Sequence, residues 1–225
     1  QRQMCIRDRR KIVFDSLAIG MSPFLMNLAA CFIVIIINQG LKKYGGDLAI
    51  GAFGIVNCLV FIVVMIVMGL NQGMQPIAGY NFGAKLYGRV NKVLRLTIIY
   101  ATAVTTFGFL VGMLVPDLVV GIFTSDAELT ELSVTGLRIT VMFFPIIGFQ
   151  MVTSNFFQSI GMAGKAIFLS LTRQMLILLP CLLVLPQFFG VAGVWYSMPV
   201  SDLLASLIAL VMLVCQFRKF RTSPL

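Results

Sequence analysis

The chain has 225 residues, 59% of them hydrophobic and 11% charged, with 17 Lys+Arg against 8 Asp+Glu and a net charge of +9. A soluble domain carries about 25% charged residues and must wet its whole outside, so this composition excludes one. There is no His, and Cys5, Cys31, Cys58, Cys181 and Cys215 are scattered without a Cys-x-x-Cys pair. The sequence therefore offers no metal-ligand set and no His-based nucleophile, and nothing in it points to an enzyme.

Charge-free runs define the elements. No Asp, Glu, Lys or Arg occurs over 16–41, 48–84, 96–116 or 139–164. Each run reaches the roughly 20 residues that cross a 30 Å hydrocarbon layer as a helix. None alternates as barrel strands do, and backbone groups in lipid must bond internally, which leaves helices. The last apolar region, 166–217, holds only Arg173 and Asp202 and is too long for one span. Its expected break is Leu185-Pro186-Gln187-Phe188-Phe189-Gly190, where Pro and Gly punctuate the pattern. The chain thus reads as an all-α membrane protein with six spans at 12–38, 48–80, 92–115, 127–160, 165–185 and 191–217.

Local signals refine this reading. Ser125 followed by Glu128 has the form of a capping box at the start of the fourth span, with Asp126 in its first turn. Pro23, Pro145, Pro180 and Pro199 fall inside expected spans, where each removes a backbone donor and is expected to kink its helix.

Orientation follows from the basic residues. With the N-terminus in the cytoplasm, 14 of the 17 Lys and Arg fall inside and only Lys42, Lys43 and Arg138 outside. That asymmetry satisfies the positive-inside rule, and an even number of spans puts both termini in the cytoplasm. Topology and contact with anionic lipid account for the net charge. No basic-aromatic interleaving suggests nucleic acid.

Polar groups inside spans are costly and therefore informative. The densest cluster closes the second span: Gly69-Leu70-Asn71-Gln72-Gly73-Met74-Gln75-Pro76-Ile77-Ala78-Gly79-Tyr80-Asn81-Phe82-Gly83-Ala84-Lys85. Read from its residues, it is either a hinge at a cytoplasmic gate or a zone of close helix packing with satisfied amides. This segment resembles the stretch G-x-x-Q-G-x-Q-P-x-x-G-Y-N-x-G-A that closes the eighth helix of multidrug-and-toxin-extrusion (MATE) transporters. Gly20-Met21-Ser22-Pro23-Phe24-Leu25 is similar to the family's seventh helix, although the proline there is usually one residue earlier. Asn155-Phe156-Phe157-Gln158-Ser159-Ile160-Gly161 resembles the end of the tenth. Ser170-Leu171-Thr172-Arg173-Gln174 and Pro199-Val200-Ser201-Asp202 are similar to parts of the eleventh and twelfth. The resemblance covers residues 11–220 and is nearest to the bacterial branch of MepA-like pumps.

The resemblance implies one lobe, the second, of a twelve-helix transporter in the bacterial inner membrane, with the N-terminal lobe as its missing partner. Residues 1–10 match no family feature and are expected to be a non-native or disordered leader, with 221–225 a cytoplasmic tail. The implied activity is export of small cationic or amphipathic drugs against protons or sodium ions, with no other cofactor. Sodium-coupled members carry acidic residues where this chain has amides and small residues, around 27–30 and 150–155, so the coupling ion stays open.

Asp202 is the coupling candidate. It lies about 16 Å along the last span at 1.5 Å per residue, where a charge must be paired or neutralised. Arg173, from a neighbouring span, is the candidate partner; the pair is either a protonation gate or a structural bridge. Asn27, Gln150, Asn155 and Gln158 are candidates to line a cavity or to join helices, and Gln72, Gln75, Pro76 and Asn81 are the gate candidates. Two rival readings remain: a lipid-linked oligosaccharide flippase, which needs several basic residues within its spans where only Arg138 and Arg173 come near, and a non-transporting fragment.

Overall fold

The computed structural model describes the backbone of residues 2–222 and the side chains of 20, 21, 24–162 and 164–216. The side chains of the expected leader and tail, of Pro23, and of the basic residues before Lys42 and after Arg173 lie outside that set. Among the described residues every regular element is helical.

The first helical run, α1, extends over Arg2–Gly83 but is two helices merged across a kink at Gly46, with φ 68 and ψ −163. A side chain there would be strained, and glycine adopts such angles freely. The polar connection expected over 39–47 is thus a one-residue kink rather than a loop. Residues 26–30 and 68–75 line a common cleft, so the run folds back on itself at that glycine.

α2 (Tyr87–Leu114) follows a short turn, and α3 (Pro116–Gly121) caps its far end. α4 (Ala127–Val141) and α5 (Phe144–Ser159) are bent by 55° across their junction. Pro145 stands in the first turn of α5. Its missing N–H and its ring are incompatible with a helix running through from Val141, which is why the expected 127–160 span is broken. The start of α4 differs from expectation too. Asp126, not Ser125, is the cap: its carboxylate accepts from the backbone N–H of Glu128 at 3.0 Å and of Leu129 at 3.4 Å. Asp126 has the extended backbone of a cap residue and satisfies two otherwise orphan donors.

α6 (Ala163–Leu171) passes into a π-helical stretch (Thr172–Leu178) and then α7 (Leu179–Phe189). Pro180 sits in the first turn of α7, and wide π turns of this kind recur at functional sites. The break expected over 185–190 comes at its end only. Helix continues through Pro186 to Phe189, and Gly190, at φ 58, stops it. α8 (Val191–Thr222) then returns with Pro199 in its interior.

Among the described residues four helices are long and apolar enough to cross a membrane, and five candidates result when the bent α4–α5 pair counts as one. The outside agrees with the composition. Phe107, Leu114, Ile122 and Phe188 are each at least 70% exposed, which is tolerable only where lipid rather than water surrounds them. The chain is a multi-pass membrane protein. Among the described residues two apolar cores hold it together. One joins both arms of α1 to α4, α7 and α8 around Trp195, whose ring lies 6.0 Å from that of Phe53. The other gathers Phe156 and Phe157 with Val67, Met74, Leu94 and Leu213.

Candidate functional site

A cleft of about 560 Å³ opens between α1, α5, α6 and the π-helical stretch. Its walls follow from helical periodicity, which brings residues three and four apart onto one face. Met68, Asn71, Gln72 and Gln75 come from the second arm of α1, and Met26, Asn27 and Ala30 from the first. α5 supplies Gln150, Met151, Ser154, Asn155 and Gln158. Ser170, Arg173 and Gln174 complete the lining.

Seven of the residues singled out from the sequence therefore share one cleft: Asn27, Gln72, Gln75, Gln150, Asn155, Gln158 and Arg173. Gln75 Nε2 donates to Asn155 Oδ1 at 3.5 Å, a long bond linking α1 to α5. Asn155 Nδ2 in turn donates to the Met151 carbonyl at 2.9 Å. Pro76 and Asn81 stand apart from the cleft. Pro76 is exposed, and buried Asn81 donates to the carbonyl of Ile77 at 2.8 Å. Asn81 thus serves its own helix.

Asp202 does not line the cleft but backs it. Arg173 Nε lies 3.0 Å from Asp202 Oδ1, although its N–H is not aligned for a hydrogen bond. The contact is an ion pair held by proximity. Arg173 Nη1 donates to Gln150 Oε1 at 3.4 Å, tying the pair to the cleft wall. The two partners differ in solvation: the arginine side chain is 32% exposed and that of Asp202 only 9%. A buried carboxylate requires a partner, and here the partner reaches it from another helix. The hydroxyls around Asp202 are not available to it. Ser197, Ser201 and Ser206 each donate to a carbonyl of α8 itself, at 2.6–2.7 Å, a pattern that satisfies them locally.

Other lining residues were not named as candidates: Asn71, Ser170 and Gln174, which fall within the quoted motifs, and Ser154 and the methionines 26, 68 and 151. Asn71 was legible in principle, since Asn71 and Gln75 are four apart and share a face. Gln174 was not, because the side a residue faces within a π turn cannot be read from a 3.6-residue period.

A second cavity, of about 420 Å³, is lined by carbon: Leu59, Val63 and Ile66 of α1, Phe107 and Gly112 of α2, and Val141 of α4 are among its walls. No group of three or more His, Cys, Asp or Glu residues suited to a metal occurs among the described residues.

Known proteins resemble this chain in sequence and in fold. The family model described as MatE matches residues 21–183. Multidrug export protein MepA of Staphylococcus aureus (strain MSSA476) is 26% identical over 204 residues, covering 91% of this chain and 45% of that protein. The solved structure of the MATE multidrug transporter DinF-BH superposes with a TM-score of 0.79 at 35% identity, over 91% of this chain and 46% of that one. A MATE structure in complex with MaL6 superposes with a TM-score of 0.88 at 18% identity, covering 95% of this chain and 49% of that one, and shows a common fold. The chain spans about half the length of the curated relatives it matches.

Proposed function

The chain belongs to the MatE family, and from that premise we propose that it is the second six-span lobe of a multidrug efflux transporter of the bacterial cytoplasmic membrane. This reading is supported by the four to five candidate spans among the described residues, to which separating the two arms of α1 at Gly46 would add one. With six spans the positive-inside rule puts both termini in the cytoplasm. The lobe works with a second lobe, and the pair exports cationic or amphipathic compounds in exchange for protons or sodium ions.

The observation that carries the reading is the amide-lined cleft with the Arg173–Asp202 pair behind it, inside a bundle whose cores are apolar. Polar groups at membrane depth are retained where a pathway needs them. Secondary transporters place such sites at broken or discontinuous helices, and here the π-helical stretch supplies Arg173 and Gln174. Asp202 is the coupling group in this scheme. Neutralising it releases Arg173 toward the cleft and so links ion occupancy to the state of the walls. The flippase reading calls for several cations at membrane depth. Among the described residues of the cleft lining Arg173 is the one cation, and Asp202 already pairs with it.

The test is ethidium accumulation in a pump-deficient bacterium expressing the chain together with an N-terminal MATE lobe, beside the same pair carrying Asp202→Asn. Lowered accumulation with the native pair, lost in the variant at equal membrane expression, is the expected outcome. Unaltered accumulation with both inserted would leave the chain a non-transporting bundle, and full activity of the variant would remove Asp202 from coupling.

A further inference from the structure

Among the described residues, two amide side chains of the cleft, buried Asn71 and half-buried Gln174, carry buried polar atoms without a partner. Asn71 is 2% exposed and lines the cleft, yet neither its Oδ1 nor its Nδ2 has a hydrogen-bond partner among the described residues. Gln174 faces the same cleft from the π-helical stretch, and its Oε1 is likewise unpaired. More than nine in ten buried polar groups in native proteins find a partner, because leaving one unmade is expensive. Asn155, on the opposite wall, has its outlets, one to Gln75 and one to its own helix. Ser133 Oγ and Thr172 Oγ1 are unpaired as well but do not line the cleft, so Asn71 and Gln174 are the unserved amides of its lining among the described residues.

The charges narrow what can satisfy them. No carboxylate occurs among the described lining residues, and the one ionisable group, Arg173, is held by Asp202. A bare cation finds no counter-charge in this cleft, so recognition here runs through hydrogen bonds. Met26, Met68 and Met151 supply the apolar contacts, and their flexible thioethers adapt to flat hydrophobic bodies.

We propose that the cleft recognises the uncharged amide-type edge of an amphipathic ligand, a carboxamide or lactam, through Asn71, with Gln174 as a second contact and the methionines seating the apolar body. The proposal rests on the reading of this cleft as a ligand site and names the ligand class within it. A carboxamide presents a donor and an acceptor side by side, the complement of the asparagine side chain. An ester of the same shape offers acceptors only and leaves Asn71 Oδ1 without a partner.

The experiment compares a fluorescent diethylaminocoumarin carboxamide with the corresponding ethyl ester, two uncharged probes with one aromatic body. Both are titrated against the chain in phosphatidylcholine nanodiscs. The amide is expected to bind at least roughly tenfold tighter, as sites built to pair a hydrogen-bonding group reject analogues lacking it. Asn71→Leu should abolish the amide's advantage and leave the two probes with equal affinity. Equal affinity of the two probes for the native chain, or no binding of either, overturns the proposal; the unserved amides are then partnered by water alone. That outcome needs no variant to fold. An amide preference that survives Asn71→Leu overturns the assignment to Asn71. Ethidium efflux with a partner lobe is scored separately. Efflux without amide preference removes only the ligand class, and amide preference without efflux removes only the transport reading.

Discussion

The apolar cavity and the amide-lined cleft share one helix and obey different rules. The second arm of α1 walls the first with Leu59, Val63 and Ile66, and the second with Met68, Asn71 and Gln75. Around the cavity, shape governs. Glycines 108 and 112 admit Val63 and Val141 so closely that an added Cβ would lie 2.9 and 3.1 Å from them. Small residues at four-residue spacing let helices approach in this way where lipid offers no hydrophobic drive. Around the cleft, pairing governs. Its polar groups are joined between helices, bonded to their own helix, or left waiting. One end of the lobe is built to hold, and under the proposed function the other responds.

The sharpest way to break this contrast is to exchange the rules. Val141→Asp puts an unpaired charge on a 2% exposed position beside the cavity, at a cost of several kcal/mol. Loss of monodisperse protein in detergent is the expected result. A variant that purifies and melts like the native chain would show that water reaches the cavity and that the two regions are alike.

The ion pair gives the next largest effect. Asp202→Leu strands Arg173, and breaking such a pair on one side costs about 3 kcal/mol. The side chain of Arg173 is 32% exposed, so part of that cost is relieved by solvent. Adding Arg173→Met should recover most of the loss, because removing both partners leaves no orphan charge. Midpoints of unfolding in SDS for the two single variants and the double variant measure the coupling. A double variant no more stable than Asp202→Leu would mean that Asp202 is held by something other than Arg173.

The smallest effect on stability separates holding from responding. Asn155→Leu removes the contact with Gln75 and should change stability by only about 0.6 kcal/mol. Ethidium efflux of the two-lobe pump should nevertheless fall. Unchanged efflux would assign Asn155 to packing, with the residues around the apolar cavity.

Particular residues show how far the sequence could be read. The amide cluster at Asn71–Gln75 and the motif around Arg173 stood out because polar groups are rare in spans, and both lie at the cleft. Asn81 belonged to the same run of amides, yet it bonds to its own helix away from the cleft. Pattern alone does not show which amides have a local carbonyl to bond. The capping residue moved by one, from Ser125 to Asp126, because both side chains suit the role and backbone angles decide between them. The helix boundary near Pro186 moved for a similar reason. A proline costs little in a last turn, and Gly190 rather than Pro186 ends the helix.

Composition and charge-free runs by themselves determined that this is a helical membrane protein. Hydrocarbon tolerates neither unpaired backbone nor charge, so solvent alone dictates the class. Only the tertiary structure decided that Gln75 meets Asn155, that Arg173 reaches Asp202 from another helix, and that Asn71 meets no partner among the described residues. Those outcomes depend on how helices distant in sequence pack after the chain turns at Gly46 and widens at Thr172–Leu178, and no local period encodes such packing.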